Sequence, residues 1–405
     1  MTIANRGGYP HPVTGAARTG VVSHPSGRAR ILYIEDGTPT FVRKEDMAEH
    51  VPLLAADLHR NLADEGADYD LIISHYWDAA SIGVALNELT HRRTPHIWVP
   101  HSLGALKKRN TDPSAGADLR IDERIAHERA LLDRIDGAVA TSSAIRDSLV
   151  KDYGYEPRYF LPPCVDPVRY HPRSHDDCAA VWDFLAEGSP CSASELRTRR
   201  VVLEISRTDR TKRKDVLIRA FAQVRERIPG SLLVVALDER GGEPYDEAAT
   251  LIHELGLERD VITLGSVWQQ LPCLYATAAV YCTPSVMEGF GMSAQEAAAT
   301  AVPTVASDLV PFAAEYLLGP AAKALESESG PGLRLGDGAV LVPADDVDGF
   351  ARALTMLLGD DTLRERMGRK ALDITIPYFT WTHRTRDLLD DLGLGVETET
   401  DADAG

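Results

Sequence analysis

Short apolar runs alternate along the chain with longer segments whose apolar positions recur every three or four residues. The short runs, bounded by turn residues, predict buried strands, and the 3.6-residue period predicts helices. In the first half the strands are 30–34, 71–74, 96–99, 137–141 and 159–161. Helices are expected over 41–63, with Met47, Val51, Leu54, Ala55 and Leu58 on one face, over 79–89, over 118–133, and from a cap at Ser142 to about 152. Residues 1–27, rich in Gly, Pro and His, lack periodicity and read as an irregular arm.

A polar, proline-bearing connection with one short helix near 179–185 follows. Alternation then resumes, with strands at 201–205, 232–235, 261–264, 279–282, 304–306 and 339–342. Helices fall over 215–228, 247–255, an Ala-rich stretch after 291, and 347–358. Strands alternating with helices imply parallel sheets covered on both faces. No short-period repeat competes with two doubly wound halves. Ligands in such folds lie beyond the carboxyl ends of strands, where Tyr76 and His101 stand.

The 405 residues suffice for two domains of ordinary size. An apolar share of 44% and a charged share of 26% describe a globular chain. No apolar run approaches the ~20 residues of a membrane span, and the first residues lack a hydrophobic signal segment. Cys164, Cys178, Cys191, Cys273 and Cys282 follow no spacing pattern, which predicts reduced thiols and a cytoplasmic protein. His171, His175 and Cys178 lack a suitably spaced fourth metal ligand. The net charge of −18 argues against nucleic-acid affinity, so an anionic substrate would need a locally built cationic site. Acidic residues beyond 393 predict a disordered tail.

The chemistry concentrates after the strand at 279–282. Ser285-Val286-Met287-Glu288-Gly289-Phe290-Gly291-Met292 joins a strand, a glycine turn and a helix start. Gly289 and Gly291 allow close backbone approach, and the helix offers free N–H groups. Ser293-Ala294-Gln295-Glu296 fits a capping box, which accounts for Glu296 locally. It leaves Glu288 and the Gly-aromatic-Gly turn unexplained. A second candidate is the basic loop Ser206-Arg207-Thr208-Asp209-Arg210-Thr211-Lys212-Arg213-Lys214, which fits either a solvated charge run or a diphosphate clamp.

Glu288-Gly289-Phe290-Gly291 with Glu296 eight positions on resembles the E-x7-E signature of retaining GT-B glycosyltransferases of the family 4 type. The flanks at 271–276 and 301–308 agree, and the resemblance extends from about Phe41 to Trp381. It is nearest the sucrose-phosphate-synthase branch. The resemblance implies an α/β fold of the GT-B class, with two Rossmann-like parallel-sheet domains facing each other across a cleft. They would cover 1–172 and 199–380, with a linker over 173–198 and a helix over 381–393 crossing back to the first domain. It further implies that Glu288 contacts the donor sugar, and that Glu296 holds the ribose. The turn Gly289, Phe290, Gly291, Met292 and Ser293 would lie against sugar and diphosphate. Arg207 and Lys212 would grip the diphosphate, with Lys214 as the substitute in a shifted register.

His101-Ser102-Leu103-Gly104 with Lys107 is similar to a motif of that branch. It implies that His101 contacts the donor sugar, with Ser102 and Lys107 toward the acceptor. His75-Tyr76 and Arg43-Lys44-Glu45 are similar to that branch too and would also surround the acceptor, although Arg43 and Lys44 equally fit a helix's solvent face. The family's first strand is followed by a Gly-Gly loop and a helix. That unit is not evident before Arg30, because Gly7-Gly8 reads as having neither strand before it nor helix after it.

The resulting expectation is a hexosyltransferase that uses a nucleotide sugar, UDP-glucose, and a polar sugar, sugar phosphate or cyclitol acceptor. The resemblance implies neither cofactor nor metal. A nucleotide-sugar epimerase of the same fold would need acid–base residues at the sugar's C2, and no carboxylate–His pair is placed for them. A non-catalytic nucleotide-sugar-binding protein is the third reading.

Overall fold

The computed structural model describes residues 1–11, 14–91, 93–109, 119–238, 240, 242–265, 267–325 and 332–395. The acidic tail lies, from 396 on, outside the described residues. The chain divides into two compact units, 1–161 and 162–405. No helix among the described residues is long and apolar enough to cross a membrane.

The first unit opens with β1 (Thr2–Arg6), β2 (Val21–Ser23) and β3 (Arg30–Ile34). It continues through α1 (Val51–Glu65), β4 (Ile72–His75), α2 (Tyr76–Leu89), β5 (His96–Val99), α3 (Gly104–Arg109) and α4 (Ile121–Leu132). It ends with β6 (Gly137–Ala140), α5 (Ser143–Tyr153) and β7 (Tyr159–Phe160). Strands β4-β5-β6-β7 form a parallel sheet in chain order. Trp98, Ala138 and Leu103 are buried in its core. Ser142 caps α5 by accepting from the Ile145 amide.

The expected irregular arm instead supplies two strands, β1 and β2, to a three-stranded sheet with β3. β1 pairs parallel with β3 from Thr2↔Arg30 to Arg6↔Ile34, and β2 pairs antiparallel with β3. Gly7-Gly8 therefore does follow a strand, but no helix stands between it and β3 among the described residues. The Gly7 amide donates to the Ile34 carbonyl at 2.8 Å. A Cβ on Gly7 would meet the Arg18 carbonyl oxygen at 2.2 Å, so the turn needs glycine. Thr-Ile-Ala-Asn-Arg has too little apolar content to announce a strand; pairing with β3 makes it one. The helix expected from 41 begins at α1, after a 3₁₀ turn at Met47–His50, because Pro52 fits only a first helical turn.

The second unit begins with α6 (Ala179–Glu187), α7 (Ala193–Arg197), β8 (Arg200–Glu204), α8 (Lys214–Arg227) and β9 (Ser231–Ala236). α9 (Glu243–Glu254), β10 (Val261–Leu264), α10 (Leu271–Thr277), β11 (Val280–Thr283), α11 (Met292–Ala299) and β12 (Thr304–Ser307) follow. The remainder is β13 (Lys323–Leu325), β14 (Leu333–Leu335), β15 (Ala339–Val342), α12 (Val347–Gly359), α13 (Asp361–Thr375) and α14 (Trp381–Asp391). The sheet runs β10-β9-β8-β11-β12-β15, all parallel, with β14 and β13 added antiparallel. Along β8, Val201 and Leu203 enter one core with α6, α10 and α11. Val202 enters the other, with α8, α9 and α12. Period-two alternation thus buries both faces.

Two expectations are corrected here. The stretch 173–198 is not a free linker: Val181, Trp182, Leu185 and Leu196 pack into the second unit's core. The five cysteines are not all free thiols, because Cys178 and Cys273 form a disulfide with Cα atoms 5.3 Å apart. They lie 95 residues apart in sequence, so only the packing of α10 beside the start of α6 brings them together.

Gly368, inside α13, has no room for a side chain, since a Cβ there would meet the Ala301 carbonyl oxygen at 2.0 Å. Gly→Ala within a helix ordinarily stabilises by about 1 kcal/mol. Here Gly368→Ala is expected to destabilise instead, by ~1–3 kcal/mol, read as a lower midpoint in urea unfolding.

Candidate functional site

In the second unit the strand order reverses direction between β8 and β11. The chain leaving β8 enters α8 on one face, and the chain leaving β11 enters α11 on the other. Such a switch point opens a crevice at the carboxyl ends of the two strands. The basic loop leaves β8 there, and the Glu288 turn leaves β11.

Several bonds stitch the two loops together. Asp209 caps the short turn Arg210–Lys212 by accepting from the Thr211 amide at 3.0 Å. The Thr211 carbonyl accepts from the Val286 amide at 2.9 Å and from Ser285 Oγ at 3.2 Å. Lys212 Nζ consequently reaches the Met287 carbonyl at 3.2 Å and Glu288 Oε1 at 2.7 Å. Lys214, the substitute in a shifted register, is already committed. Its Nζ lies 2.5 Å from Glu204 Oε2 and 3.0 Å from Ser206 Oγ, and the pair is 5% and 0% exposed. Arg207 is brought to Asp209 at 3.6 Å, with its side chain 82% exposed.

The turn after Glu288 divides its labour. Phe290 is buried against Phe312, Tyr316 and Phe379, and its carbonyl accepts from the Phe312 amide at 2.7 Å. Its side chain therefore anchors the turn, while Gly289 and Met292 are exposed. Gly291 has φ of 104° and serves as the N-cap of α11. The expected capping box is absent: the helix starts at Met292, and no side chain caps it. Glu296 is thereby released from a cap role. Burial raises its carboxyl above the ordinary pKa, with Tyr275, Tyr170 and Arg169 opposing the shift. The buried Tyr170 and Tyr275 hydroxyls face it without closing a hydrogen bond of normal geometry.

In the first unit, Tyr76 and His101 stand at the carboxyl ends of neighbouring strands β4 and β5. Both have left-handed backbones, with φ of 76° and 55°. Side-chain-bearing residues rarely adopt this region, and such strain clusters at functional sites. One side chain that sequence reasoning passed over holds Tyr76 and the turn that follows His101. Arg124 of α4 donates to the Tyr76 hydroxyl, with its guanidinium 4.5 Å from that ring's centroid. It also donates to the Ser102 carbonyl at 2.6 Å and Ser102 Oγ at 3.0 Å. Fully buried Glu128 accepts from Arg124 Nε at 2.7 Å, and from the Gly104 amide at 2.9 Å. The signal available in sequence was an Arg and a Glu four apart within a helix, which surface helices carry routinely.

Lys44, Lys107, Arg120 and Arg124 line one cleft with Tyr76 and Glu45. Burial, then the neighbouring Lys44 charge, pulls Lys107 below the ordinary lysine pKa. Lys107 lies 4.0 Å and Lys44 3.8 Å from Glu45, so one carboxylate serves several cations. Arg43 also pairs with Glu45, at 3.6 Å.

Two doubly wound parallel sheets, with charged and glycine-bearing loops at their strands' carboxyl ends, define a GT-B protein. The family model for glycosyl transferases group 1 matches residues 192–373, and that for glycosyltransferase family 4 matches residues 11–169. A D-inositol 3-phosphate glycosyltransferase of Corynebacterium efficiens is 30% identical over 367 residues, covering 87% of this chain and 78% of that one. A mannosylfructose-phosphate synthase of Agrobacterium fabrum is 34% identical over 297 residues, 69% of this chain and 62% of that relative's length. Sucrose-phosphate synthase from Thermosynechococcus elongatus superposes with a TM-score of 0.74 at 22% identity, covering 97% of this chain and 88% of that one. The chain belongs to the family 4 glycosyltransferases.

The two lysines of the basic loop should separate by substitution. Lys214→Met strands a carboxylate that has no access to solvent, so it is expected to cost about 3–5 kcal/mol of stability. Lys212→Met leaves Glu288 partly exposed and should cost far less, which paired denaturant titrations would measure.

Proposed function

We infer that this chain transfers a hexosyl group, with retention of configuration, from UDP-glucose to a phosphorylated sugar or cyclitol. The observation that carries the reading is the meeting of Lys212 and Glu288 at 2.7 Å beside a glycine turn and a helix start. In the reaction the bond from the anomeric carbon to the diphosphate oxygen breaks, and negative charge collects on that oxygen. Lys212, Arg207 and the amides at the start of α11 stabilise it as fixed positive ends that need little reorganisation. Glu288 takes hydrogen bonds from the sugar hydroxyls and Glu296 from the ribose. The acceptor hydroxyl oxygen bonds to the anomeric carbon, and its proton passes to the departing diphosphate, so no protein base is required.

Four cations, set against the carboxylates of Glu45 and Glu123, line one cleft of the first unit and suit an acceptor that carries a phosphate. The names of the relatives point the same way: mannosylfructose-phosphate, inositol 3-phosphate and sucrose-phosphate all contain one. Tyr76, Ser102 and Lys107 belong to this acceptor group together with Arg124, and Lys44 lies at its rim. His101 contacts a sugar hydroxyl.

Incubation with UDP-glucose and a panel of phosphorylated and unphosphorylated acceptors tests the reading. UDP release should require a phosphorylated acceptor, and the product's anomeric configuration should match the donor's. Glu288→Ala should abolish transfer in a protein that still folds, with a lowered unfolding midpoint because buried Lys212 loses its carboxylate. Lys212→Ala should slow transfer by roughly 10²-fold or more. Full activity in folded Glu288→Ala, or conversion of the sugar nucleotide without acceptor, overturns it.

A further inference from the structure

His75 has no assigned part in the reaction above, yet its ring is fixed on His101. His75 is the last residue of β4, and in the parallel register it faces Val99, the last residue of β5. His101 lies two residues beyond Val99, in a left-handed conformation closed by the Ser102 amide bonding the Pro100 carbonyl at 2.6 Å. That turn swings the His101 ring back over β4. The rings lie 20° from parallel, with centroids 5.1 Å apart, and His75 Nδ1 is 2.8 Å from His101 Nε2.

Two ring nitrogens at this distance share a single proton. Burial lowers the pKa of His75, and burial together with the neighbouring His75 lowers that of His101 to about 4, so both rings are neutral near pH 7. A neutral imidazole has one donor nitrogen and one acceptor nitrogen. Which is which follows from the bond that the other nitrogen makes. In water the neutral ring favours its Nε2–H form. The observed contact lets both rings keep that form if His101 Nε2–H donates to His75 Nδ1.

We propose that His75 is a positioning residue: by accepting from His101 Nε2–H it fixes that tautomer and leaves His101 Nδ1 as a bare acceptor for a sugar hydroxyl. The tautomer does not depend on the function proposed above, but its use on a sugar does. The arrangement selects a ligand that brings a hydroxyl proton to this point, and it disfavours one that brings only an acceptor. Arg124, clamped to the carbonyl and hydroxyl of Ser102, holds the turn from the other side.

The wild-type chain with ¹⁵N-labelled histidine provides the first test, by long-range proton–nitrogen correlation near pH 7. His101 should appear as a single Nε2–H species with an unprotonated Nδ1. An Nδ1–H form, or an average of the two, overturns the proposal without any need of a variant. The second test compares His75→Leu with His75→Asn, whose side-chain oxygen can still accept at the place of Nδ1. Leu should lower kcat about five- to tenfold, the worth of one ordinary hydrogen bond, with the donor KM nearly unchanged. Asn should restore most of it. Equal losses in both variants, with unfolding midpoints like the wild type, overturn the positioning role. Should no donor be turned over at all, the spectra still decide the tautomer, so failure of the proposed reaction remains distinguishable from failure of the His75 assignment.

Discussion

The reversal of strand order between β8 and β11 is the constraint on which the second unit's site depends. Neighbouring strands whose helices depart to opposite faces cannot close over their own carboxyl ends. The two loops that leave them must cross that gap, and the bonds between Thr211 and residues 285–286 set their spacing. Lys212 then has Glu288 as a partner for geometric reasons. Lys214, two residues later and at the start of α8, points down into the sheet, where it neutralises Glu204. The same loop thus supplies two buried cations, one paired with Glu204 and one with Glu288 on the neighbouring turn.

The first unit solves a similar problem with a buried arginine. Tyr76 and His101 adopt backbone conformations that side chains resist; Arg124 holds the Tyr76 hydroxyl and the neighbouring Ser102, and His75 meets the His101 ring. Glu128 keeps Arg124 in place while accepting the Gly104 amide, so the turn after β5 and the helix α4 are one network. Partial dismantling of such a network leaves buried charge behind. The strained Tyr76 is therefore held by Arg124, which lines the same cationic cleft.

Much of this was legible beforehand because it is local. The strand and helix alternation, the cap at Ser142 and the Glu-Gly-Phe-Gly turn are written in consecutive residues. The resemblance to family 4 glycosyltransferases likewise rested on short motifs. The misreadings share the opposite property. Ser293 and Glu296 satisfied a capping pattern, but Gly291 took the cap position and freed the acid. The weakly apolar strand β1 exists because β3 lies beside it. The helix α6 looked like a linker because its Pro- and Ser-rich flanks concealed three residues that fill the second core.

By itself the sequence determined the class of fold and the stretches where chemistry would gather, since hydrophobic period and turn chemistry act over a few residues and need no partner. Only the tertiary structure decided which partner each charge takes. It separated Lys212 from Lys214, recruited Arg124, joined Cys178 to Cys273 and set His75 against His101. Each of those pairings spans residues that are distant in sequence or turned to different sides by one helical or extended step, and side-chain direction in space is fixed only once the sheets are assembled.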